Sequence, residues 1–465
     1  MSRICLIIDN PLRDLDGLCL ISWYLAQAGV EVFLVPMYAQ GFDVPSLQPD
    51  VVLANYARVN NLELLKLYQR QGIRVAILDT EGVGEWWPNH AQLLRQQNVK
   101  SFVDQYYCWG REQAKELLEA RSFAPGQVTV TGCPRYDFIA NQWRPALPAN
   151  DVKPGYILIN TNFPVVNPQF SEDASTEVRG WVDVGWGSQS RAEEFVRASE
   201  LLFEDVRQNV TAIVKALPEE TFVLRPHPFE SMSPYEKMAE SLPNLLLRKE
   251  GTSLQWINQA AALLHVNCFT GVEAGLMHIE TLGFEWLNRK EIRDHSSEPF
   301  RVSRNASSFE EMVYWLKHLA NERNSLPPLP SRDDALRRLV NANYRAVDGH
   351  SAKLVADSLI RLAEKGPQAA AVNVPTLAAR QRMVHMARRW LGYRGASLIK
   401  NLTTPAKLQR ARNEKIPSLE AVAEVLERIQ SASAIIQRPR IRNTLRSDYV
   451  NPFQSSFKSL RISSS

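Results

Sequence analysis

Ile4-Cys5-Leu6-Ile7-Ile8 is an uninterrupted apolar run that stops at Asp9, and it decides how the opening of the chain folds. A helix-length segment at 18–28 follows and stops at Gly29, a residue type that often ends helices. A second apolar run occupies 30–36. Since strands that alternate with helices form a parallel sheet covered by those helices, this opening predicts an α/β domain.

The alternation continues over most of the chain and predicts two domains. In the first, 1–143, we expect further strands at 51–54, 73–79, 102–108 and 128–131 and helices at 62–71 and 111–120. A proline-containing connection follows at 144–155, and a second α/β domain is predicted over 156–365. Its strands are expected at 156–160, 221–224, 245–248, 262–266 and 285–287, and its helices at 192–216, 254–260, 272–281, 309–321 and 333–346. Two Rossmann-like domains of this kind predict a ligand-binding cleft between the carboxyl ends of their sheets.

The composition is that of a folded globular protein, with 45% hydrophobic and 22% charged residues. No apolar run reaches the roughly 18 residues that a membrane span needs, and the first apolar stretch is too short for a signal peptide. The five cysteines are scattered and never form a CxxC pair, so the sequence suggests neither a disulfide framework nor a zinc site. We therefore expect a cytoplasmic protein.

The net charge of +4 conceals a basic C-terminal region at 366–465, which holds 17 Lys and Arg against 5 Asp and Glu. We predict a basic helical extension with a disordered end and no strands there. One stretch has helical apolar spacing beside a basic face, at Met383, Met386, Ala387, Trp390 and Leu391. Such a helix can lie on an anionic membrane surface, or it can pack back on the first domain. No nucleic-acid partner is expected.

The run Leu224-Arg225-Pro226-His227-Pro228 ends an apolar strand in a proline-rich turn. A guanidinium and an imidazole at the carboxyl edge of a sheet can hold a phosphate, so Arg225, His227 and Pro228 are predicted to bind a donor phosphate. The alternative is that proline simply ends the strand and His227 is an ordinary turn residue.

A second polar turn, from Asn267 to Ala274, joins the predicted strand at 262–266 to the next helix. Free backbone amides at a helix start attract phosphate, Thr270 and Gly271 lie at that start, and Glu273 can accept from ribose hydroxyls. A capped helix, with Thr270 as N-cap and Glu273 three residues later, explains the same pattern.

The first domain offers Asp79-Thr80-Glu81-Gly82 after its predicted strand at 73–79. A carboxylate at a strand end can act as a base for an acceptor hydroxyl, although acidic strand ends are also plain caps. Asp14 and Asp16 have the DxD spacing of some metal sites, but helix capping explains them equally well, and we assign no metal. Neither a Walker loop nor a GxGxxG pattern after the first strand is present, so cofactors such as ATP or NAD are not suggested.

Together these residues resemble the bacterial surface carbohydrate biosynthesis protein family, relatives of the capsule and lipopolysaccharide Kdo transferases. The resemblance covers about residues 1 to 365. It rests on Arg13-Asp14-Leu15-Asp16-Gly17, Asp79-Thr80-Glu81-Gly82, Gly132-Cys133-Pro134-Arg135-Tyr136-Asp137, the Arg-Pro-His-Pro run and Thr270-Gly271-Val272-Glu273-Ala274.

The resemblance implies a GT-B fold and a glycosyltransferase that works without a metal. The acidic and His-Pro motifs are similar to those of bacterial sialyl- and Kdo-transferases, which implies a CMP-linked donor sugar and a glycan or lipid-linked acceptor. Carried over, Glu81 or Asp79 is catalytic, and His227 contacts the donor phosphate. Thr80 interrupts the family's acidic pair, so the resemblance does not decide between the two carboxylates.

Matched residues of the first domain, Arg13, Asp14 and Arg135, are placed on the acceptor side. Two other functions remain open at this point: a nucleotide-linked polyol-phosphate transferase, and a GT-B module that binds glycan or nucleotide without catalysis. Both use the same fold.

Overall fold

The computed structural model describes residues 2–84, 86–169, 178, 182, 188–294, 297–322, 326–367, 413–433, 438–445, 448 and 459–464. Contacts divide the chain into two compact units. Unit 1 comprises Met1–Ala146 and Ala342–Ser465, and unit 2 comprises Leu147–Asn341.

Both units are built mainly from parallel strands and the helices between them. The strands are β1 Arg3–Ile8, β2 Glu31–Pro36, β3 Val51–Ala54, β4 Arg74–Leu78, β5 Gln105–Cys108, β6 Val128–Val130, β7 Tyr156–Asn160, β8 Phe222–Arg225, β9 Leu245–Leu247, β10 Ala260–His265, β11 Glu280–Phe284, β12 Arg304–Ala306, β13 Arg440–Asn443 and β14 Leu460–Ser463. The helices are α1 Pro11–Gln27, α2 Gln40–Leu47, α3 Leu62–Arg70, α4 Trp87–Gln96, α5 Arg111–Glu119, α6 Gln189–Ala216, α7 Ser233–Ala239, α8 Ser253–Ile257, α9 Thr270–Leu276, α10 Lys290–Arg293, α11 Glu298–Arg301, α12 Phe309–Glu322, α13 Pro330–Asn343, α14 Ser351–Glu364 and α15 Leu419–Ala432. Among these described elements, no helix has both the length and the apolar character that crossing a bilayer requires.

The sheet of unit 1 has the strand order β13-β14-β2-β1-β3-β4-β5-β6 within the described residues. Strands β1 to β6 pair in parallel, as the alternating pattern predicts. The side chains of β1 are buried from Ile4 to Ile8, because helices cover both faces of a parallel sheet. The chain runs from β1 to β2 on one side and then to β3 on the other, so the carboxyl end of β1 is a topological switch point.

Helix α1 begins seven residues before the predicted start at 18. Asn10 caps it, since its Oδ1 accepts from the Leu12 N–H at 3.1 Å, and Pro11 occupies the first helical position, where its missing N–H has no consequence. This Asn-Pro signal is present in the sequence. The early start brings Arg13 and Asp14 to the carboxyl edge of the sheet.

The sequence interpretation placed the stretch 342–365 in the second domain, whereas its contacts group it with unit 1. Helix α14 lies within this stretch, and Val355 and Leu359 are fully buried there. The Asp137 carboxylate accepts from the backbone N–H groups of Ser351 and Ala352, at 2.9 and 2.7 Å, which anchors the start of α14. The helical pattern of this stretch in the sequence does not reveal on which unit α14 packs.

The C-terminal region also contributes two strands, contrary to the helical extension predicted over 366–465. β14 pairs antiparallel with β2, and β13 pairs with β14. Leu460 and Ile462 are buried, while Arg461 forms ion pairs with Glu31 and Asp448. These strands have four residues each and carry polar side chains, so their pattern is weak. The predicted amphipathic helix at 383–391 lies outside the described residues.

Unit 2 has a sheet in the order β12-β11-β10-β7-β8-β9, with parallel pairing throughout its described strands. The strand predicted at 285–287 is wrong, because those residues form a 3-10 turn and the strand is Glu280–Phe284. The helix predicted over 272–281 ends at Leu276, since His278 adopts a left-handed conformation (φ 60°) that starts the turn into β11.

Candidate functional site

A pocket lies at the carboxyl edge of the unit 1 sheet, where β1, β3 and β4 end beside the first turns of α1. Ligands of open α/β sheets bind at such switch points. The lining combines apolar residues of the strands with polar residues of the following loops: Ile7, Asp14, Gly17, Leu18, Leu53, Ala54, Asn55, Leu78, Asp79, Thr80, Trp109, Cys133, Pro134 and Arg135.

Asp79 is buried at the end of β4 and is held by three donors. Its carboxylate accepts from Arg58 Nη2 at 3.4 Å, from the Tyr106 hydroxyl at 3.2 Å and from the Glu81 N–H at 3.0 Å. Burial raises the pKa of Asp79 to about 6, because the loss of hydration outweighs the attraction of Arg58. The Trp109 indole N–H donates to the Asp79 carbonyl at 2.8 Å, so both ends of this residue are fixed.

Glu81 differs from Asp79 in being accessible, with a side chain that is 41% exposed. Arg58 Nη2 donates to its Oε2 at 3.0 Å, and Arg13 Nη1 lies 3.8 Å from its Oε1. The next residue is Gly82, where a Cβ would lie 2.1 Å from the Trp109 indole, so only glycine allows this close approach. Two guanidinium groups therefore hold an exposed carboxylate beside the pocket.

Arg13 connects this carboxylate to the end of β1. Its Nε donates to Asp14 Oδ1 at 2.7 Å, and its Nη2 donates to Asp9 Oδ2, also at 2.7 Å. Lys415, which precedes α15, donates from Nζ to Asp9 Oδ1 at 3.0 Å. Burial alone would raise the pKa of Asp9, but Arg13 and Lys415 hold it below its usual range. Asp9, Asp14 and Glu81 thus share the charge of Arg13.

Arg135 lies over aromatic rings, with its guanidinium carbon 5.1 Å from the Trp109 centroid and 4.8 Å from that of Tyr136. Asp16, the second member of the DxD spacing, pairs with Arg428 of α15 at 3.4 Å, whereas Asp14 pairs with Arg13. The two carboxylates therefore bind arginines of different elements. Within the described residues, no group of three His, Cys, Asp or Glu side chains could hold a metal ion.

In unit 2, Arg225 is the last residue of β8, and its guanidinium donates hydrogen bonds to the neighbouring loop. Its Nη2 donates to the carbonyls of Lys249, Glu250 and Gly251, at 3.3, 3.1 and 2.7 Å. The group lies 5.7 Å from the Trp256 ring centroid, and burial lowers the pKa of Arg225 to about 10. These contacts give Arg225 a structural role, and the phosphate contact predicted for it stays a prediction.

His227 is oriented by hydrogen bonds within its own turn. The Phe229 N–H donates to His227 Nδ1 at 3.2 Å, so the neutral imidazole carries its proton on Nε2. The His227 N–H donates to Glu230 Oε1 at 3.1 Å. The predicted donor residue therefore presents an Nε2–H, the form that can donate to a phosphate oxygen, and Pro228 lies within the same turn.

Glu230 is fully buried, and its side-chain carboxylate accepts from hydroxyl and backbone N–H groups. Its Oε1 accepts from the Thr161 hydroxyl at 2.8 Å and from the Phe163 N–H at 2.9 Å, in addition to His227, and its Oε2 accepts from the Tyr235 hydroxyl at 2.5 Å. Burial raises the pKa of Glu230. This carboxyl ties the ends of β7 and β8 and the start of α7 together.

The turn after β10 departs from the predicted capped helix. Helix α9 starts at Thr270 with no side-chain cap, and the Thr270 hydroxyl donates to Cys268 Sγ at 3.0 Å. Asn267 adopts φ 50°, and its Nδ2 donates to the Ile292 carbonyl at 2.7 Å. A Cβ on Gly271 would lie 2.7 Å from His265 Nε2, and Glu273 is buried. The α9 helix has only seven residues, so its start alone does not define an anion site.

Four of the residues that organise these edges were not predicted from the sequence: Arg58, Tyr106, Glu230 and Lys415. Arg58 and Glu230 follow strand ends, which is the same signal that identifies Asp79 and His227. Tyr106 is inside a strand and looks like an ordinary core residue. Lys415 is distant in sequence from Asp9, and no local pattern reveals that contact.

Comparisons with known proteins support the fold. No protein-family model matches the chain, and no curated protein matches it in sequence. The wall teichoic acid polymerase TagF, in a structure with CDPG, has a TM-score of 0.50 at 10% identity. The match covers 78% of this chain and 89% of the TagF chain. The UDP-GlcNAc 2-epimerase of Neisseria meningitidis bound to UDP-GlcNAc has a TM-score of 0.45 at 13% identity, and the match covers 78% of this chain and 100% of the epimerase chain. S. aureus MnaA, in a structure with UDP, has a TM-score of 0.47 at 11% identity, and the match covers 82% of this chain and 100% of the MnaA chain. The TagF likeness confirms the predicted GT-B-like α/β fold.

Proposed function

We propose that this protein is a glycosyltransferase of the GT-B type that transfers a sugar from a nucleotide-linked donor to a glycan or lipid-linked acceptor in the synthesis of a bacterial surface polysaccharide. The observation that supports this most is the arrangement of Glu81, an accessible carboxylate that Arg58 and Arg13 hold next to Thr80, which lines the pocket. The buried Asp79 beside it fixes Arg58. The proposal assigns the acceptor to unit 1 and the donor to unit 2.

In this proposal Glu81 is the general base. As the acceptor hydroxyl oxygen forms its bond to the anomeric carbon, its proton passes to the Glu81 carboxylate. The bond from the anomeric carbon to the donor phosphate oxygen breaks, and the nucleotide leaves with the electron pair. Asp79 is a positioning residue, because its carboxylate is buried and already accepts three hydrogen bonds.

On the donor side, the proposal gives His227 the phosphate contact through its Nε2–H. Glu230 supports this by holding the His227 backbone N–H and therefore the turn. Transfer without a metal is favoured because Asp14 and Asp16, the DxD pair, are each bound by an arginine. The motif resemblance to sialyl- and Kdo-transferases favours a CMP-linked donor.

A second candidate is a nucleotide-linked polyol-phosphate transferase. TagF, which has a similar fold, is a teichoic acid polymerase solved with CDPG. A base, a phosphate-binding imidazole and the same fold serve this reaction as well, so the identity of the transferred group separates the two candidates.

The proposal is tested first by binding. We expect one of CMP, CDP, UDP or GDP to raise the melting temperature of the full chain, because a ligand that binds the native state stabilises it. His227→Ala should remove that rise, whereas His278→Asn, at an exposed position in the same unit, should keep it. Mass spectrometry after incubation with sugar- and polyol-linked forms of that nucleotide then identifies the transferred group. Failure of all four nucleotides to bind would contradict the proposal.

A further inference from the structure

The C-terminal region reaches the carboxyl edge of the unit 1 sheet through Lys415. This residue precedes α15, and its Nζ donates at 3.0 Å to Oδ1 of Asp9, which lies 406 residues earlier in the chain. The same Nζ lies 5.5 Å from the ring centroid of Tyr38, which follows β2. The Lys415 side chain is 14% exposed, although lysine side chains are mostly exposed in folded proteins. Part of the C-terminal region therefore lies at the edge that carries Arg13 and Glu81.

The Asp9 carboxylate has one cation on each of its oxygens. Lys415 binds Oδ1, and Arg13 Nη2 donates to Oδ2 at 2.7 Å. A carboxylate that is 14% exposed has lost most of its hydration and needs such partners. Tyr56 also lies beside Asp9, and it stays neutral near pH 7 because burial raises its pKa to about 12. Without Lys415, Arg13 would be the one cation left beside Asp9 among the residues that the structure describes.

Arg13 divides its guanidinium among three carboxylates. Its Nε donates to Asp14 Oδ1 at 2.7 Å, and its Nη2 donates to Asp14 Oδ2 at 3.1 Å as well as to Asp9. Its Nη1 lies 3.8 Å from Glu81 Oε1, which is the longest of these contacts. Since the attraction between charges weakens with distance, the Glu81 contact is the first to be lost when another carboxylate draws Arg13 toward itself.

We propose that Lys415 is a positioning residue for Glu81: by neutralising Asp9, it leaves Arg13 in place to hold the Glu81 carboxylate. The segment that contains Lys415 is then a working part of the unit 1 edge. The role of Glu81 as a base rests on the proposed function. The electrostatic coupling of Lys415 to Glu81 through Asp9 and Arg13 does not depend on that function.

Loss of Lys415 changes the surroundings of Glu81 in one direction. Asp9 then carries an uncompensated negative charge and draws Arg13 away, while Arg58 and Asp79, the other charged groups that face Glu81, stay in place. A carboxylate that loses a nearby cation takes up its proton at higher pH. We therefore expect the acidic limb of the pH profile of kcat to move up by about half a pH unit in Lys415→Met, with unchanged affinity for the nucleotide.

Asp9→Asn separates this role from a merely structural one, because the amide keeps the shape and removes the charge that Lys415 neutralises. Alone, Asp9→Asn should move the acidic limb to lower pH. Combined with Lys415→Met, it should restore the native position of the limb. Lys353→Met, at an exposed position of α14, is the matched control and should keep the native profile. A native profile for Lys415→Met, or a shift that Asp9→Asn does not reverse, would overturn the proposal.

Carbon-13 NMR of the full chain tests the coupling without turnover. We expect the carboxyl carbon signal of Glu81 to move in Lys415→Met and to return to its native position in the double variant. A moved signal in a chain that transfers no sugar would keep this inference and reject the proposed function, whereas an unmoved signal in an active chain would reject this inference alone. Should Lys415→Met fail to fold, Asp9→Asn alone must move the same signal, and an unmoved signal there would overturn the coupling.

Discussion

Asp79 in unit 1 and Glu230 in unit 2 are both buried carboxyl groups beside strand ends, and their partners differ. Asp79 faces the guanidinium of Arg58, which it shares with the exposed Glu81. Glu230 accepts from hydroxyl and backbone N–H groups. Burial raises the pKa of both.

The two sheet edges therefore differ in which groups the buried carboxyl holds in place. In unit 1 the buried Asp79 carboxyl fixes Arg58, which in turn holds the accessible carboxylate of Glu81. In unit 2 the buried Glu230 carboxyl fixes the backbone of the turn that carries His227. A fold with two similar sheets thus carries two unlike edges.

The largest effect on stability is expected for Glu230→Ala. It leaves the buried Thr161 and Tyr235 hydroxyls and two backbone N–H groups without their acceptor, which should lower the free energy of unfolding by about 3 kcal/mol or more. Glu236→Ala, at an exposed position of α7, should change it by less than about 0.5 kcal/mol. Urea unfolding measures both. A small effect of Glu230→Ala would mean that the unit 2 edge is not organised around this carboxyl.

Asp79→Asn should change the pH dependence of stability. A carboxyl whose pKa is raised in the folded state holds its proton there while the unfolded chain has lost it, so it lowers stability as pH rises from about 4 to about 6. We therefore expect the native chain to lose up to about 3 kcal/mol relative to Asp79→Asn across this window. Asp357→Asn, at a partly buried position on α14, should show a much smaller difference. Parallel stability curves for Asp79→Asn and the native chain would contradict the buried state of Asp79.

Arg225→Met should lower the free energy of unfolding by about 2 kcal/mol, since three backbone carbonyls lose their shared donor. Arg248→Met is a matched control, because Arg248 pairs with the largely exposed Asp151 and should contribute below about 1 kcal/mol. Nucleotide affinity of the folded Arg225→Met protein should exceed that of His227→Ala. The reverse order would support the phosphate contact predicted for Arg225 from the sequence.

Lys415→Met should have the smallest effect, about 1 kcal/mol of stability near neutral pH. Lys415 and Arg13 lower the pKa of Asp9 in the folded protein. The stability that these ion pairs contribute is therefore present above the pKa that Asp9 has in the unfolded chain, and it is lost as pH falls through the pKa of Asp9 in the folded protein. Carbon-13 NMR titration should show a higher pKa for Asp9 in Lys415→Met. Lys353→Met, which breaks an exposed helical pair with Asp357, should leave the Asp9 titration unchanged.

Much of the fold could be predicted from the sequence, because buried parallel strands leave long apolar runs such as Ile4 to Ile8. The same rule located the candidate residues that follow strand ends, including Asp79, Glu81 and His227. The elements that the sequence did not predict are determined by tertiary contacts. β14 is four residues long and polar on one face, so only its pairing with β2 identifies it.

The roles of individual side chains were less predictable than their positions. Asp79 and Glu81 are two residues apart, and no sequence pattern says that one is buried and the other exposed. That outcome depends on Arg58, Tyr106 and Trp109, which come from other elements. The structural role of Arg225 was not predicted, because the backbone carbonyls at 249–251 that it binds are not visible in the local sequence.

The division of roles between Glu81 and Asp79 is tested most directly by the turnover of Glu81→Gln, measured together with its affinity for the nucleotide donor. An amide keeps the shape and loses the base, so we expect kcat to fall about 10² to 10⁴-fold while donor affinity stays within twofold of the native value. Native turnover in folded Glu81→Gln would contradict the assignment of Glu81 as the base.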